Sequence, residues 1–80
     1  VLFQFPPLAL PHRRLVRLCE ALGRFLDALP AGPRYAVEVR NAELVQGALA
    51  GAYAEALARG GAAHCATVHP RMPGVLAQYA

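Results

Sequence analysis

The sequence predicts an α/β fold in which three parallel strands alternate with two helices. Short apolar or alternating segments at residues 1–5, 34–40 and 62–68 are typical of strands. The two longer segments between them repeat apolar residues at the spacing of one helical face. Because a helix separates each strand from the next, the order favours parallel strands joined by right-handed crossovers.

The first predicted strand, Val1–Phe5, is apolar except for Gln4. Such nearly continuous hydrophobicity is typical of a parallel strand that is buried on both faces. Pro6 and Pro7 end the strand, since proline has no N–H to donate to a sheet. We expect alternate residues to face the helices, which places Leu2 and Gln4 on the opposite face.

The first helix is predicted from Pro11 or His12 to Leu29. A proline suits the first turn of a helix, where its missing N–H costs nothing, and Pro30 closes the far end. Gly23 lowers helix stability by about 1 kcal/mol relative to alanine, which indicates a site of close packing. The apolar face comprises Leu15, Leu18, Cys19, Leu22, Phe25, Leu26 and Leu29.

The segment Arg34–Arg40 has the clearest strand pattern in the chain. Aromatic and β-branched residues alternate with a second set that includes Glu38 and Arg40. We expect the first set to pack against the helices and the strand to lie between the other two. Glu38 and Arg40 then share the opposite face, where buried charges need partners. The helix-facing set comprises Tyr35, Val37 and Val39.

The second helix is predicted between Glu43 and Arg59, and its firm part over Ala48–Arg59. Asn41 is the expected N-cap, and Gly60-Gly61 is expected to end the helix in the left-handed conformation. The predicted inward residues are Leu44, Leu49, Tyr53, Ala56 and Leu57. A third strand at 62–68 follows, then a loop, then the start of a third helix at 74–80.

The cysteines and histidines predict neither a disulfide nor a metal site. Cys19 and Cys65 fall in apolar patterns on different elements, which favours buried free thiols in a reducing compartment. Adjacent strand residues point to opposite faces, so His64 and Cys65 cannot both bind one metal ion from the same strand. His69 with Glu38 supplies only two ligands. We expect no metal and no cofactor.

The composition predicts a piece of a larger domain. Eighty residues form one small domain without an internal boundary, and a hydrophobic fraction of 56% is high for a free-standing one. The net charge of +3 comes from arginines that are scattered along the chain, which leaves nucleic acid open as a partner. No apolar run approaches the ~18–20 residues that span a bilayer. We therefore expect a cytoplasmic protein without a membrane partner.

Four blocks of residues recur in a specific order and spacing: Leu2–Pro7, Tyr35–Asn41, Ala63-His64 and Arg71–Pro73. Together they resemble the domain-of-unknown-function 72 family (YecE-like proteins). The resemblance implies a TIM-barrel-like domain of roughly 250 residues, of which this chain would be about a third. It also implies that the remainder of the barrel is a partner of residues 1–80.

In such a barrel, active sites lie at the carboxyl ends of the strands. The resemblance therefore implies Glu38 and Arg40 as candidate catalytic residues. Glu38 is a candidate general acid or base, and Arg40 is suited to hold an anionic or hydroxyl-rich ligand. The candidate ligand-binding residues at the same ends are Gln4, Asn41, His69 and Arg71.

Two classes of function remain open from the sequence. One is an enzyme that acts on a small polar or phosphorylated ligand, and the other is a ligand- or nucleic-acid-binding barrel without turnover. A fragment with no activity of its own is a further alternative. Structural roles compete at each position: an internal ion pair for Glu38 and Arg40, a core amide for Gln4, and a helix cap for Asn41.

Overall fold

A computed structural model describes residues 1–79 and shows a mixed α/β fold with three parallel strands, as predicted. The strands and helices are, in chain order, β1 (Leu2–Gln4), α1 (His12–Asp27), β2 (Ala36–Glu38), α2 (Ala50–Arg59), β3 (Ala63–His64) and α3 (Val75–Gln78). Two single 3₁₀ turns, Ala42–Leu44 and Gly47–Leu49, lie between β2 and α2.

β2 lies between β1 and β3, which confirms its predicted central position. Gln4 of β1 is the neighbour of Glu38, and His64 of β3 is the neighbour of Val37. Beyond the end of β1, the N–H of Phe5 donates to the Glu38 carbonyl at 2.9 Å. Both neighbours of β2 run parallel to it, so the carboxyl ends of all three strands meet at one edge of the sheet.

Each strand is shorter than predicted. Pro6–Pro7 cannot donate to the sheet and ends β1. After β3 the N–H of Cys65 still donates to the Val37 carbonyl at 2.8 Å. The next N–H on that side, of Thr67, donates instead to the Gln78 side-chain oxygen at 3.1 Å, and the Thr67 hydroxyl donates to the Val39 carbonyl. The regular pairing of β3 with β2 therefore ends where Gln78 binds the Thr67 amide.

The hydrophobic core lies between the sheet and the helices α1 and α2. Val37 and Val39 face it and are 0% and 2% exposed, as the alternation in the sequence predicts. Phe25 differs from its prediction: it is 47% exposed, and its ring meets the edge of the Phe3 ring at the border of the core, with centroids 5.3 Å apart. The core comprises Leu15, Cys19, Leu22, Leu26, Val37, Val39, Leu44, Val45, Leu49, Tyr53, Ala56, Leu57 and Met72.

The opposite face of the sheet is more open. Leu2 on this face is 46% exposed and Gln4 is exposed, while Glu38 is half-buried. The sheet therefore has one apolar face under the helices and one face that carries polar side chains. This arrangement confirms the predicted orientation of β1 and β2.

The helices begin and end close to the predicted residues, with two differences. α1 ends at Asp27 rather than Leu29. The second helical segment is irregular before Ala50, because Gln46 is extended and Gly47 has a φ of +84°. Gly61 follows α2 with a φ of +63°, the predicted left-handed conformation. Among residues 1–79, no helix is both long enough and apolar enough to cross a bilayer.

The third helix begins at Val75, one residue after the predicted start, and it is one turn long. Its predicted last residue, Ala80, lies outside the described residues. The cysteines are free thiols, with Cys19 buried in the core and Cys65 half-buried just after β3.

Two glycines allow the backbones of α1 and α2 to approach each other. A Cβ atom on Gly23 would lie 3.4 Å from the Ala56 Cα, which confirms the close packing predicted there. A Cβ atom on Gly60 would collide with the Cβ of Leu26 and would lie 2.7 Å from its carbonyl carbon. Since backbone atoms cannot move aside as a flexible side chain can, Gly60 is the more restricted of the two positions.

The contact at Gly60 predicts that G60A destabilises the protein by about 1–3 kcal/mol through overpacking. The matched control is G51A in α2, where an added Cβ would meet no atom within 4 Å. G51A should leave the stability unchanged or raise it by about 0.5–1 kcal/mol, because alanine favours a helix over glycine. Urea unfolding of both variants and the wild type measures these differences. If G60A has the same free energy of unfolding as the wild type, the close packing of Gly60 against Leu26 is contradicted.

Candidate ligand-binding site

Gln4, Glu38 and Arg40 meet at the carboxyl ends of β1 and β2. The Gln4 side-chain amide donates to Oε1 of Glu38 at 3.0 Å, because the strand register makes these two residues neighbours. Arg40 lies two residues beyond Glu38, and all three side chains line one open cleft of about 220 Å³. Phe5–Pro7 completes the wall of this cleft. Glu38 and Arg40 therefore share a face, as predicted.

Glu38 and Arg40 do not form the internal ion pair that the sequence left open. Within residues 1–79 the only ion pair closer than 4 Å joins Arg59 to Asp27, both exposed, at 3.9 Å. Arg40 lies beyond the end of β2 with its side chain exposed to solvent, so its charge needs no buried partner. Among the described residues, Glu38 Oε2 accepts no hydrogen bond, and the carboxylate keeps a free acceptor.

A second cleft of about 300 Å³ lies on the other side of Arg40 and brings Arg71 to the site. Pro7 and Arg40 line both clefts, so the two are adjacent. Arg71 comes from the loop after β3, and Asn41 follows Arg40 directly. The residues that line the second cleft are Pro7, Leu8, Ala9, Arg40, Asn41, Ala42, Glu43 and Arg71.

The Asn41 side chain connects the two strand ends. Its Oδ1 accepts the N–H of Leu8 and its Nδ2 donates to the Leu8 carbonyl, both at 2.7 Å. Asn41 occupies the N-cap position of the 3₁₀ turn Ala42–Leu44, as predicted, and its carbonyl accepts the Leu44 N–H at 3.1 Å, but its side chain makes no capping hydrogen bond. The physical reason is that the loop after β1 reaches the Asn41 amide with both a donor and an acceptor. Asn41 is 6% exposed and fixes the backbone next to Arg40.

His69 shapes the loop that carries Arg71. Its Nδ1 accepts the Arg71 N–H at 3.2 Å, and its carbonyl accepts the N–H of Met72 at 2.9 Å. Met72 is buried in the core and anchors this turn. His69 lines neither of the two clefts, so the structure brings Arg71 but not His69 to the predicted site.

The sequence did not indicate a polar network around His64 on the helix-covered face of the sheet. The Tyr53 hydroxyl lies 2.8 Å from Nδ1 of His64, and Gln78 Oε1 lies 2.9 Å from Nε2. Gln78 Nε2 donates to the carbonyls of Thr67 and Pro73 at 2.8 and 2.9 Å. Since the Gln78 oxygen can only accept, Nε2 of His64 carries the proton and Nδ1 accepts from Tyr53.

This network attaches α3 to β3 and completes the core. Tyr79 adds to it by donating from its hydroxyl to the His64 carbonyl at 2.8 Å. A histidine within the apolar pattern of the third strand was the one signal in the sequence, but its partners lie 11 and 14 residues away. Within residues 1–79, no group of three or more His, Cys, Asp or Glu side chains is placed to hold a metal ion.

The Asn41 contact predicts that N41A destabilises the protein by about 2 kcal/mol, because two hydrogen bonds are lost and the Leu8 backbone groups lose their partners. Proteolysis should also become faster in the loop after β1. Q46A is the control, since Gln46 is exposed. Urea unfolding and limited proteolysis measure both effects, and an N41A variant as stable as Q46A would contradict the role of Asn41.

Two buried groups predict that stability falls in alkaline solution. Burial raises the pKa of the Cys19 thiol, and burial raises the pKa of the Tyr53 phenol well above its usual range. The unfolded chain ionises these groups from about pH 8.5 and 10, whereas the folded protein keeps them neutral. The stabilisation that these neutral groups give to the folded protein is therefore complete below about pH 8.5. It is lost as the pH rises towards the pKa values of the folded state.

Urea unfolding at pH 7 and pH 10 tests this pH dependence. The free energy of unfolding should be lower at pH 10, and C19A should show a smaller decrease than the wild type. C65A is the control, because Cys65 is only half-buried. A decrease of the same size in C19A and the wild type would show that the thiol is not responsible.

The sequence model of one family, described as "Protein of unknown function DUF72", matches residues 1–79. The match covers nearly all of the 80-residue chain and confirms the resemblance that the four blocks of residues indicated. No curated protein matches the chain, and no solved structure matches it.

Proposed function

The chain belongs to the DUF72 family, and we propose that it is a segment of a TIM-barrel-like domain with a ligand-binding site at its strand ends. The parallel sheet, covered by helices on one face, supports a barrel segment. Leu2 and Gln4 on the other face would become enclosed when further strands close the barrel. Residues 1–80 would then be about a third of such a domain.

We propose that the cleft between Gln4, Glu38 and Arg40 binds a small polar ligand. The observation that carries this proposal is the Gln4–Glu38 hydrogen bond beside an exposed arginine at the carboxyl edge of the sheet. Gln4 holds one carboxylate oxygen and leaves the other for a ligand hydroxyl or amine. Arg40 offers five N–H donors to a ligand oxygen.

In an enzyme, this arrangement suits proton transfer. Glu38 would accept a proton from a ligand hydroxyl or from a water molecule, and Arg40 would stabilise the negative charge that develops on the ligand. Gln4 would act as a positioning residue, because it orients the carboxylate of Glu38 through Oε1. The proposed class is therefore an enzyme that acts on a small polar or phosphorylated compound.

A non-catalytic barrel that binds a ligand or nucleic acid is the second candidate. The exposed guanidinium groups of Arg40 and Arg71 at one edge of the sheet favour it, because they offer charge without requiring a proton-transfer step. For either function we propose the cytoplasm as the compartment, since both cysteines are free thiols.

The test uses the protein made from its complete natural reading frame and a panel of small polar and phosphorylated compounds. Ligand-observed NMR identifies the compounds that bind, and the variants E38Q and R40A are then compared with E55Q. Glu55 is the matched control, because it is an exposed glutamate on α2, remote from the strand ends.

Affinity for the bound compound should fall about tenfold or more in E38Q and R40A, the loss of roughly 1.4 kcal/mol of binding energy. Affinity should be unchanged in E55Q. If a compound is converted, E38Q should lower the rate by a factor of about 10²–10⁴, the usual contribution of a general acid or base. If a compound binds through Arg40 but is not converted, the result supports the second candidate. If E38Q and R40A both bind the compound with the affinity of the wild type, the result contradicts the proposed site.

A further inference from the structure

Two arginines from the ends of neighbouring strands line the second cleft. Arg40 follows β2, and Arg71 lies in the loop that follows β3. They are 31 positions apart in the sequence, so only the parallel arrangement of β2 and β3 brings them to one cleft. Pro7, Leu8 and Ala9 from the loop after β1 also line this cleft.

The backbone that carries each arginine is held in place, while both side chains are exposed. Arg40 lies between Val39, which is in the core, and Asn41, whose amide is bonded to Leu8. Arg71 lies between the His69 turn and the buried side chain of Met72. A ligand therefore meets two guanidinium groups on fixed supports, which lowers the entropic cost of binding.

Neither guanidinium group is neutralised within residues 1–79. The only ion pair there joins Arg59 to Asp27, on the helices. Glu43 also lines the second cleft, but its carboxylate is not within 4 Å of either guanidinium group. Two positive charges and one negative charge in a small cleft leave an excess positive charge, and an anion that binds both arginines relieves their mutual repulsion.

We infer that Arg40 and Arg71 together bind the phosphate group of a small phosphate monoester. A doubly charged tetrahedral phosphate has enough oxygen atoms to engage two guanidinium forks, whereas a carboxylate is satisfied by one. Glu43 accepts a hydrogen bond from a hydroxyl group of the same ligand. This inference rests on the proposed function, because Arg40 lines both clefts and so joins the phosphate to the part of the ligand at Glu38.

The geometry favours a small ester over nucleic acid. A nucleic acid backbone is bound by a series of basic residues along a groove. Here Pro7 and Leu8 close the cleft on one side, and only two arginines line it. Four further arginines lie on α1, on the helix layer rather than at the strand ends.

Isothermal titration calorimetry with inorganic phosphate tests the inference on the protein made from its complete natural reading frame. The wild type should bind phosphate at one site, and R71A and R40A should each weaken that binding about tenfold or more. R71K should keep part of the affinity, because lysine retains the charge but not the planar fork. R34A is the matched control, since Arg34 is also exposed but precedes β2 at the opposite end.

Unchanged phosphate affinity in R71A, or equal affinity of the wild type for acetate, would overturn the inference. A single-stranded oligonucleotide that binds when inorganic phosphate does not would also overturn it and would favour a nucleic acid partner. The effect of R71A on phosphate is measured independently of the effect of E38Q on the panel of compounds. If R71A leaves phosphate affinity unchanged, the phosphate site alone is refuted. If E38Q and R40A leave the affinity for the compounds unchanged, the proposed function is refuted.

Discussion

Val37 and Val39 are buried between the sheet and the two long helices, and their burial determines the orientation of every other residue in β2. Successive strand residues point to opposite faces, so a strand that buries two valines on one side must present Glu38 on the other. The parallel register then places Gln4 beside Glu38. The pairing in the candidate site thus follows from the hydrophobic packing on the opposite face of the sheet.

The polar groups at the carboxyl ends of the strands fall into two sets. Both polar atoms of the Asn41 side chain and Nδ1 of His69 are bonded to backbone groups, and these bonds hold the two loops in place. Arg40 and Arg71 project from those loops with their charges available to solvent. Because the first set satisfies the backbone, the second set need not contribute to folding, which is the usual division of roles in a binding site.

Much of the fold could be predicted from the sequence, because it depends on short-range patterns. The alternation in β2, the inward face of α2 and the left-handed Gly61 all follow from the period of the hydrophobic residues or from local backbone preference. The convergence of Glu38 with Arg40 on one face follows from the same alternation.

The remaining features depend on contacts between distant residues. The Asn41–Leu8 pair spans 33 residues, and nothing near Asn41 in the sequence distinguishes a clamp on a distant loop from a helix cap. The partners of His64 likewise come from α2 and α3. The length of β3 was overestimated for a related reason: the Thr67 amide, which would be the next to donate to β2, donates to the side chain of Gln78 instead.

The central proposal, that this sheet is part of a closed barrel, is tested most directly at the outer edge of β1, because Tyr79 already binds outward-facing groups of His64 and Ala66 beside β3. Phe5 donates its N–H to β2, so the preceding amide, of Gln4, points away from β2. Native-state hydrogen exchange on the protein from its complete natural reading frame tests whether a further strand pairs with β1. Slow exchange of the Gln4 amide is the result that we predict. Exchange of this amide at the rate of an unprotected peptide would show an open edge and would contradict the barrel.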